Sequence, residues 1–232
     1  GKEIIERCGL VTKEEIENLK WDYIDIIIVT GDAFVDHPSF GSAIIARILD
    51  NEGYRVGIIS MPDWKNPESF TLFGKPRLFF GVTGGNIDSL IMKYTAFKKI
   101  RNDDPYIPGG KSGSRPERAV ITYCNQIRTI YKDVPIVLGG IEASMRRMAH
   151  YDFWSNSVRR SIIEDSRADI LVYGMGEKAV VEIAKRISEK KDLLNIQGTV
   201  VISEKLPDDA VVLPSEEDVI ESQDQFVEMY RM

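Results

Sequence analysis

Short apolar runs, separated by amphipathic stretches, constrain this sequence more than any other feature. Residues 24–29 are apolar except for Asp25; residues 56–59, 78–82, 136–138 and 170–173 follow, and 199–202 reads as a sixth run. Runs this short and continuous are strands buried on both faces, which a parallel sheet with helices on each side provides. The intervening segments have helical spacing. Ile44, Ile45, Ile48 and Leu49 form one face after Ser39, and Ile87, Leu90, Ile91, Tyr94 and Phe97 form another after Asn86. Val180, Val181, Ala184 and Ile187 mark a third. Ser114-Arg115-Pro116-Glu117 reads as a capping box with proline in the first turn. It would open a helix with Val120, Cys124, Ile127 and Tyr131 on one side. Thr12 and Glu15 cap a short helix over 12–20, and Ser39 and Asn86 are suitable helix caps. The alternation predicts an α/β domain over 1–202. It is a three-layer, doubly wound, mainly parallel sheet of five to six strands with an irregular insertion at 101–118.

The 232 residues are 43% hydrophobic and 28% charged, a globular balance that excludes collagen-like and wholly disordered chains. No apolar run approaches the roughly 20 residues of a membrane helix, and residues 1–7 lack a signal-peptide core. Two cysteines, Cys8 and Cys124, cannot build a disulfide framework, so a reducing cytoplasm is expected. Two histidines make a protein-only zinc site unexpected, and no metal site is assigned. The net charge of −6 comes from residues 203–232, which hold nine acidic residues against Lys205 and Arg231. This acidic stretch reads as a connector, and the near-neutral body remains compatible with an anionic ligand.

Open α/β sheets bind ligands beyond the carboxyl ends of their strands. Four such junctions stand out: residues 31–41 with Asp32, His37 and Ser39; 81–86 with Gly84, Gly85 and Asn86; 139–144 with Gly139, Gly140 and Glu142; and 174–177 with Gly176 and Glu177. Glycines admit a ligand close to the backbone, and helix N-termini offer N–H groups to anions. The same residues also serve as plain turn chemistry: Asp32 bonding turn amides, Glu142 and Glu177 answering helix dipoles. Neither a Gly-x-Gly-x-x-Gly nor a Gly-x-x-x-x-Gly-Lys-Ser/Thr motif is present, which disfavours standard dinucleotide and P-loop sites. A second constellation sets Arg146, Arg147, Arg159 and Arg160 around His150, Tyr151, Phe153 and Trp154. These groups suit anion or RNA binding, or the arginines pair with Glu142, Asp152, Glu164 and Asp165. Cys124 shares an apolar helix face with Val120 and Ile127 and is expected to be an inert core residue.

Residues 29–41, Val-Thr-Gly-Asp-Ala-Phe-Val-Asp-His-Pro-Ser-Phe-Gly, resemble the opening of the YgiQ-type radical SAM proteins. So do residues 76–82, Gly-Gly-Ile-Glu-Ala-Ser at 139–144, Arg146-Arg147, residues 149–152, Trp154-Ser155, residues 172–177 and 212–215. The resemblance implies an N-terminal accessory domain that presents substrate or a second cofactor to a radical SAM barrel lying beyond Met232. That barrel would carry Cys-x-x-x-Cys-x-x-Cys, a [4Fe–4S] cluster and S-adenosylmethionine, and would be this domain's partner. The present chain has no such motif. The late glycine junctions also resemble cobalamin-binding domains, which implies a flavodoxin-like or cobalamin-binding-like fold. Their Asp-x-His-x-x-Gly mark is missing: Asp36 and His37 are adjacent, which argues against His37 as a cobalt ligand. A free-standing cobalamin- or nucleotide-binding module and an RNA-binding domain are the alternatives.

Overall fold

The computed structural model describes residues 12–232, so Cys8 lies outside the described residues. Helix α1 (Lys13–Leu19) is followed by β1 (Ile26–Thr30), α2 (Gly41–Asn51), β2 (Val56–Ser60), β3 (Phe79–Thr83), α3 (Ser89–Lys93) and α4 (Ala119–Ile130). The chain continues through β4 (Ile136–Leu138), α5 (Gly140–Met145), the hairpin β5 (His150–Asp152) and β6 (Ser157–Arg159), α6 (Ile162–Ser166), β7 (Ile170–Val172) and α7 (Glu177–Ser188). Strand β8 (Thr199–Val200) and helices α8 (Glu216–Glu221) and α9 (Gln223–Met229) complete it.

Six strands form one sheet in the order β2-β1-β3-β4-β7-β8. The first five are parallel, and β8 runs antiparallel to β7. This is the doubly wound flavodoxin-like order, in which strand sequence reverses between β1 and β3. Strand alternation divides the core into two. Ile26, Ile28, Phe79, Val137 and Ile170 face α2 and α7, where Ala46, Leu49, Val180 and Ile183 are buried. Ile27, Val29, Phe80, Leu138 and Leu171 face the other way, toward Phe70, Tyr123, Ile127 and Ile163. Cys124 is buried in this second core, and burial raises its thiol pKa, as an inert core residue requires. No helix among the described residues is long and apolar enough to cross a membrane.

Helix α1 carries the expected capping box of Thr12 and Glu15. The other predicted helix starts shift. Ser114–Glu117 forms no capping box: α4 begins at Ala119 behind Arg118, whose φ is 48°, because the Arg115 side chain is drawn into a buried ion-pair network. Asn86 does not cap α3; Asp88 does, its Oδ1 accepting from Leu90 N (2.9 Å) and Ile91 N (3.2 Å). That helix ends before Tyr94, so Phe97 lies outside it and is 87% exposed. Ser39 does not cap α2, which follows Phe40 with no side-chain cap; its amide instead donates to His37 Nδ1 (3.1 Å). The sixth strand stops at Val200, leaving Ile202 exposed. Hairpin β5–β6 has no counterpart in the sequence reading.

Ile27 is fully buried between β2 and β3. Ile27→Ala should destabilise the fold by about 3 kcal/mol, measured as a shift in the urea midpoint at unchanged m-value.

Candidate functional site

The carboxyl ends of β1, β3, β4 and β7 meet α2 and α7 around a cavity of about 320 Å³. Its floor is aliphatic, with Ile28, Leu49, Val137 and Val172 among the lining residues. Glycines 85, 139, 140 and 176 form its rim with Asn86 and Glu177. Glu177 is the only charged residue in the lining, at the first turn of α7. A Cβ on Gly139 would meet nothing within 4 Å, so the backbone there borders open space. The three later junctions therefore converge on one cavity, as the sheet-edge rule requires. Met175 (89% exposed) and Ile141 leave an apolar margin at this edge.

The first junction contributes differently. Asp32 is 2% exposed and does not line the cavity. Its Oδ2 accepts from Asn86 N (2.6 Å), and its Oδ1 lies 2.7 Å from Arg115 Nη1. Arg115 also donates through Nε to Asp104 (3.1 Å) and through Nη1 to the Gly84 carbonyl (2.8 Å). Burial raises the Asp32 pKa against the Asn86 amide and the Arg115 charge. Gly85 has φ 112°, and a Cβ there would come within 2.2 Å of Asp32 Oδ1. The Gly84-Gly85 pair is thus required by a buried carboxylate beneath it, whatever lies above. His37 and Ser39 are exposed and stand away from the cavity. Asp36 pairs with Arg47.

Glu142 also faces inward. It is 1% exposed, with Oε2 accepting from Ser89 N (2.8 Å) and Oε1 from Val120 N (3.1 Å). One carboxylate thereby caps the first turns of α3 and α4. Burial raises its pKa, and the Asp88 charge adds to the rise. A Cβ on Gly84 would meet its Oε2 at 2.5 Å.

The arginines are engaged within the fold. Arg146 pairs with Asp88 rather than with Glu142. Arg159 pairs with Asp165 (2.7 Å), and Arg160 with Asp165 (2.6 Å) and Glu164 (3.9 Å). Arg147 donates to the Ser144 carbonyl (2.7 Å) and lies over the Tyr173 ring at 5.0 Å. Asp152 takes Arg118 as its partner. Sequence reasoning missed Asp104 and Asp88, and it placed Arg115 in a helix cap rather than in a buried ion pair. Asp88 was legible as an Asp opening an apolar helical pattern; Arg115 and Asp104 sit in an aperiodic loop that signals no partner. Among the described residues, no group of three or more His, Cys, Asp or Glu side chains is placed to hold a metal ion.

Glu142→Gln leaves one of the two helix amides facing an NH₂ group, a loss of about 1–3 kcal/mol. A carboxyl whose folded pKa is raised loses relative stability as pH climbs above its ordinary value, here 4.5. Only the wild-type protein carries that loss, so the penalty of the substitution should be larger near about pH 5 than near about pH 8 in urea titrations.

The family described as "Radical SAM N-terminal" matches residues 10–232. A UPF0313 protein of Clostridium botulinum (strain ATCC 19397 / Type A) is 53% identical over 227 residues, covering 96% of this chain and 35% of that protein. A UPF0313 protein of Thermotoga neapolitana is 50% identical over 224 residues, covering 95% and 40%. The chain thus spans between a third and two-fifths of the length of these curated relatives. The radical S-adenosylmethionine methyltransferase TsrM from Kitasatospora setae, solved with tryptophan substrate and a SAM analog, shares the fold at a TM-score of 0.51 and 24% identity. That match covers 77% of this chain and 28% of the TsrM chain. TsrM solved with cobalamin and a [4Fe-4S] cluster matches at the same TM-score. With its six-stranded, mainly parallel sheet and its match across residues 10–232, the chain belongs to the radical SAM N-terminal family.

Proposed function

We propose that this domain presents a cofactor or substrate to the radical SAM part of its protein, holding the flat apolar end of that group in the cavity between the sheet and helices α2 and α7. The cavity carries the reading. Its volume of about 320 Å³ lies at the small end of the ligand-pocket range, and its walls are aliphatic side chains and glycine backbone. Such walls accept a planar ring edge-on and offer nothing to a highly charged group. Asn86 and Glu177 at the rim would orient a hydroxyl or amide of the same ligand. The acidic segment 203–232 would lead toward the rest of the protein.

Cobalamin is the cofactor best matched to this shape, since it carries a planar base on a long nucleotide arm. The structural relative TsrM was solved with cobalamin. His37 does not fit the role of cobalt ligand: it is exposed, stands outside the cavity lining, and its Nδ1 accepts from Ser39 N. Binding would therefore rest on the arm rather than on an axial imidazole. The residues described here do not fit an iron–sulfur cluster, because Cys124 is the one cysteine among them and is buried in the core. The cluster and S-adenosylmethionine would belong to the partner domain, where together they supply one-electron reductive cleavage.

The test is anaerobic purification of the whole protein, incubation with hydroxocobalamin and measurement of retained cobalamin by absorbance after gel filtration. The wild-type protein should retain it. Gly139→Val, which projects a side chain into the cavity, should weaken retention by about tenfold or more, while His37→Ala should leave it unchanged. Failure of the wild-type protein to retain cobalamin, or indifference to Gly139→Val, refutes the cobalamin reading.

A further inference from the structure

Two turns of this fold meet in an exposed aromatic surface. Residues 94–100 double back after α3: Tyr94 and Ile100 form an antiparallel bridge, and the Thr95 carbonyl accepts from Lys98 N (2.9 Å). In this turn Phe97 is 87% exposed and Ile100 61%. The turn of hairpin β5–β6 lies against it. The Trp154 ring packs on Tyr94 at 5.2 Å and on Phe153 at 5.4 Å between centroids. Lys98 Nζ donates to the Trp154 carbonyl (3.2 Å) and stands 4.9 Å from the centre of the Phe153 ring. These contacts fix the two turns to each other. The exposed side chains of Phe97, Ile100 and Phe153 therefore share one preformed surface.

Large apolar groups standing singly in water are ordinary, but a contiguous, prearranged group of them marks an interaction site. Cations border this one. Lys98 and Arg101 direct their donors to the carbonyls of Trp154, Ile91 and Tyr94 rather than to carboxylates, and Lys99 is exposed. A face that is apolar at its centre and acidic at its rim would complement this surface.

The tether selects what covers it. Helix α8 packs against β6 with Val219 buried, so the segment 203–232 passes the hairpin that carries Phe153 and Trp154. Most of the length of the curated relatives lies outside the stretch that this chain matches. A domain tethered beside a surface meets it at an effective concentration of about millimolar, ahead of a second copy from solution. RNA is less well suited. It needs open ring faces for its bases, whereas Ile100 offers none and the Tyr94 and Trp154 rings pack against each other.

We infer that the surface formed by Phe97, Ile100 and Phe153 is the docking face for the radical SAM part of the same protein. The inference rests on reading this chain as a domain that serves that part; it needs no ligand in the cavity under α2 and α7.

The test uses the whole protein carrying the photo-cross-linker p-benzoylphenylalanine in place of Phe97, with cross-linked peptides identified by mass spectrometry after irradiation. Links should join position 97 to residues outside 1–232 within one chain. The same probe in place of Glu52, exposed in the turn between α2 and β2, should give no such links. Trypsin supplies a second readout. Cleavage after Lys98, Lys99 and Arg101 should be slow in the whole protein and about tenfold faster in Phe97→Asp, which loses one aromatic anchor. Phe97 is exposed within the domain, so this substitution leaves the domain folded. Links that join two copies, links to RNA, no links outside 1–232, equal yields from position 52, or cleavage unchanged by Phe97→Asp would each overturn the inference. Cobalamin retention reports on the cavity separately: a protein that cross-links as expected but retains no cobalamin keeps its docking face and refutes only the cobalamin reading.

Discussion

The carboxyl-end architecture of this domain depends on two buried carboxylates answered mainly by backbone amides. Glu142 accepts from Ser89 and Val120 and so joins the starts of α3 and α4 to α5. Asp32 accepts from Asn86 and sits against Arg115, which in turn holds the Gly84 carbonyl and Asp104. Breaking one member of such a network leaves a desolvated charge or amide, which is far more damaging than losing a surface pair. Helix starts, the β3 loop and the segment carrying Asp104 and Arg115 are therefore fixed together. Gly85 and Asn86, next to the Gly84 carbonyl that Arg115 holds, line the cavity under α2 and α7.

This arrangement changes what the glycine junctions mean. A glycine pair after a strand reads as a place where a ligand touches backbone. At Gly84 and Gly85 the close approach is instead made from below, by Glu142 and Asp32. At Gly139 the backbone borders empty space. The same residue type thus serves packing at one junction and access at another, and sequence does not distinguish the two.

The sheet was legible because its strands are short, apolar and buried on both faces, as in Ile26–Thr30 and Ile170–Val172. Two of the longer helices were legible in outline too: Val120, Cys124 and Ile127 line the buried face of α4, and Val180 and Ala184 that of α7. Helix starts were not. A Ser-x-Pro-Glu pattern suits a cap locally, but the Arg115 side chain lies between two buried aspartates and the helix starts only at Ala119. The hairpin over 150–159 escaped notice because His-Tyr-Asp and Ser-Val-Arg have no apolar alternation. The convergence of the later junctions followed from topology, whereas the Asp32–Arg115–Asp104 contact joins residues far apart in sequence with no shared period. The arginine stretch shows the same limit: its charge was plain, but the identity of its partners, Asp88 and Asp165, required the fold.

Strand β8 has one more effect. It adds only two residues to the β7 side of the sheet, and it runs against the other five strands. A two-residue strand exposes almost no ladder for another chain to extend, and reversed polarity spoils the template for a further parallel strand. Growth of the sheet across that border, by a second copy or by an unfolded neighbour, is thereby discouraged. On that side, contact with other proteins is left to side chains on the faces and the rim, where recognition is selective, rather than to the indiscriminate pairing of backbone with backbone.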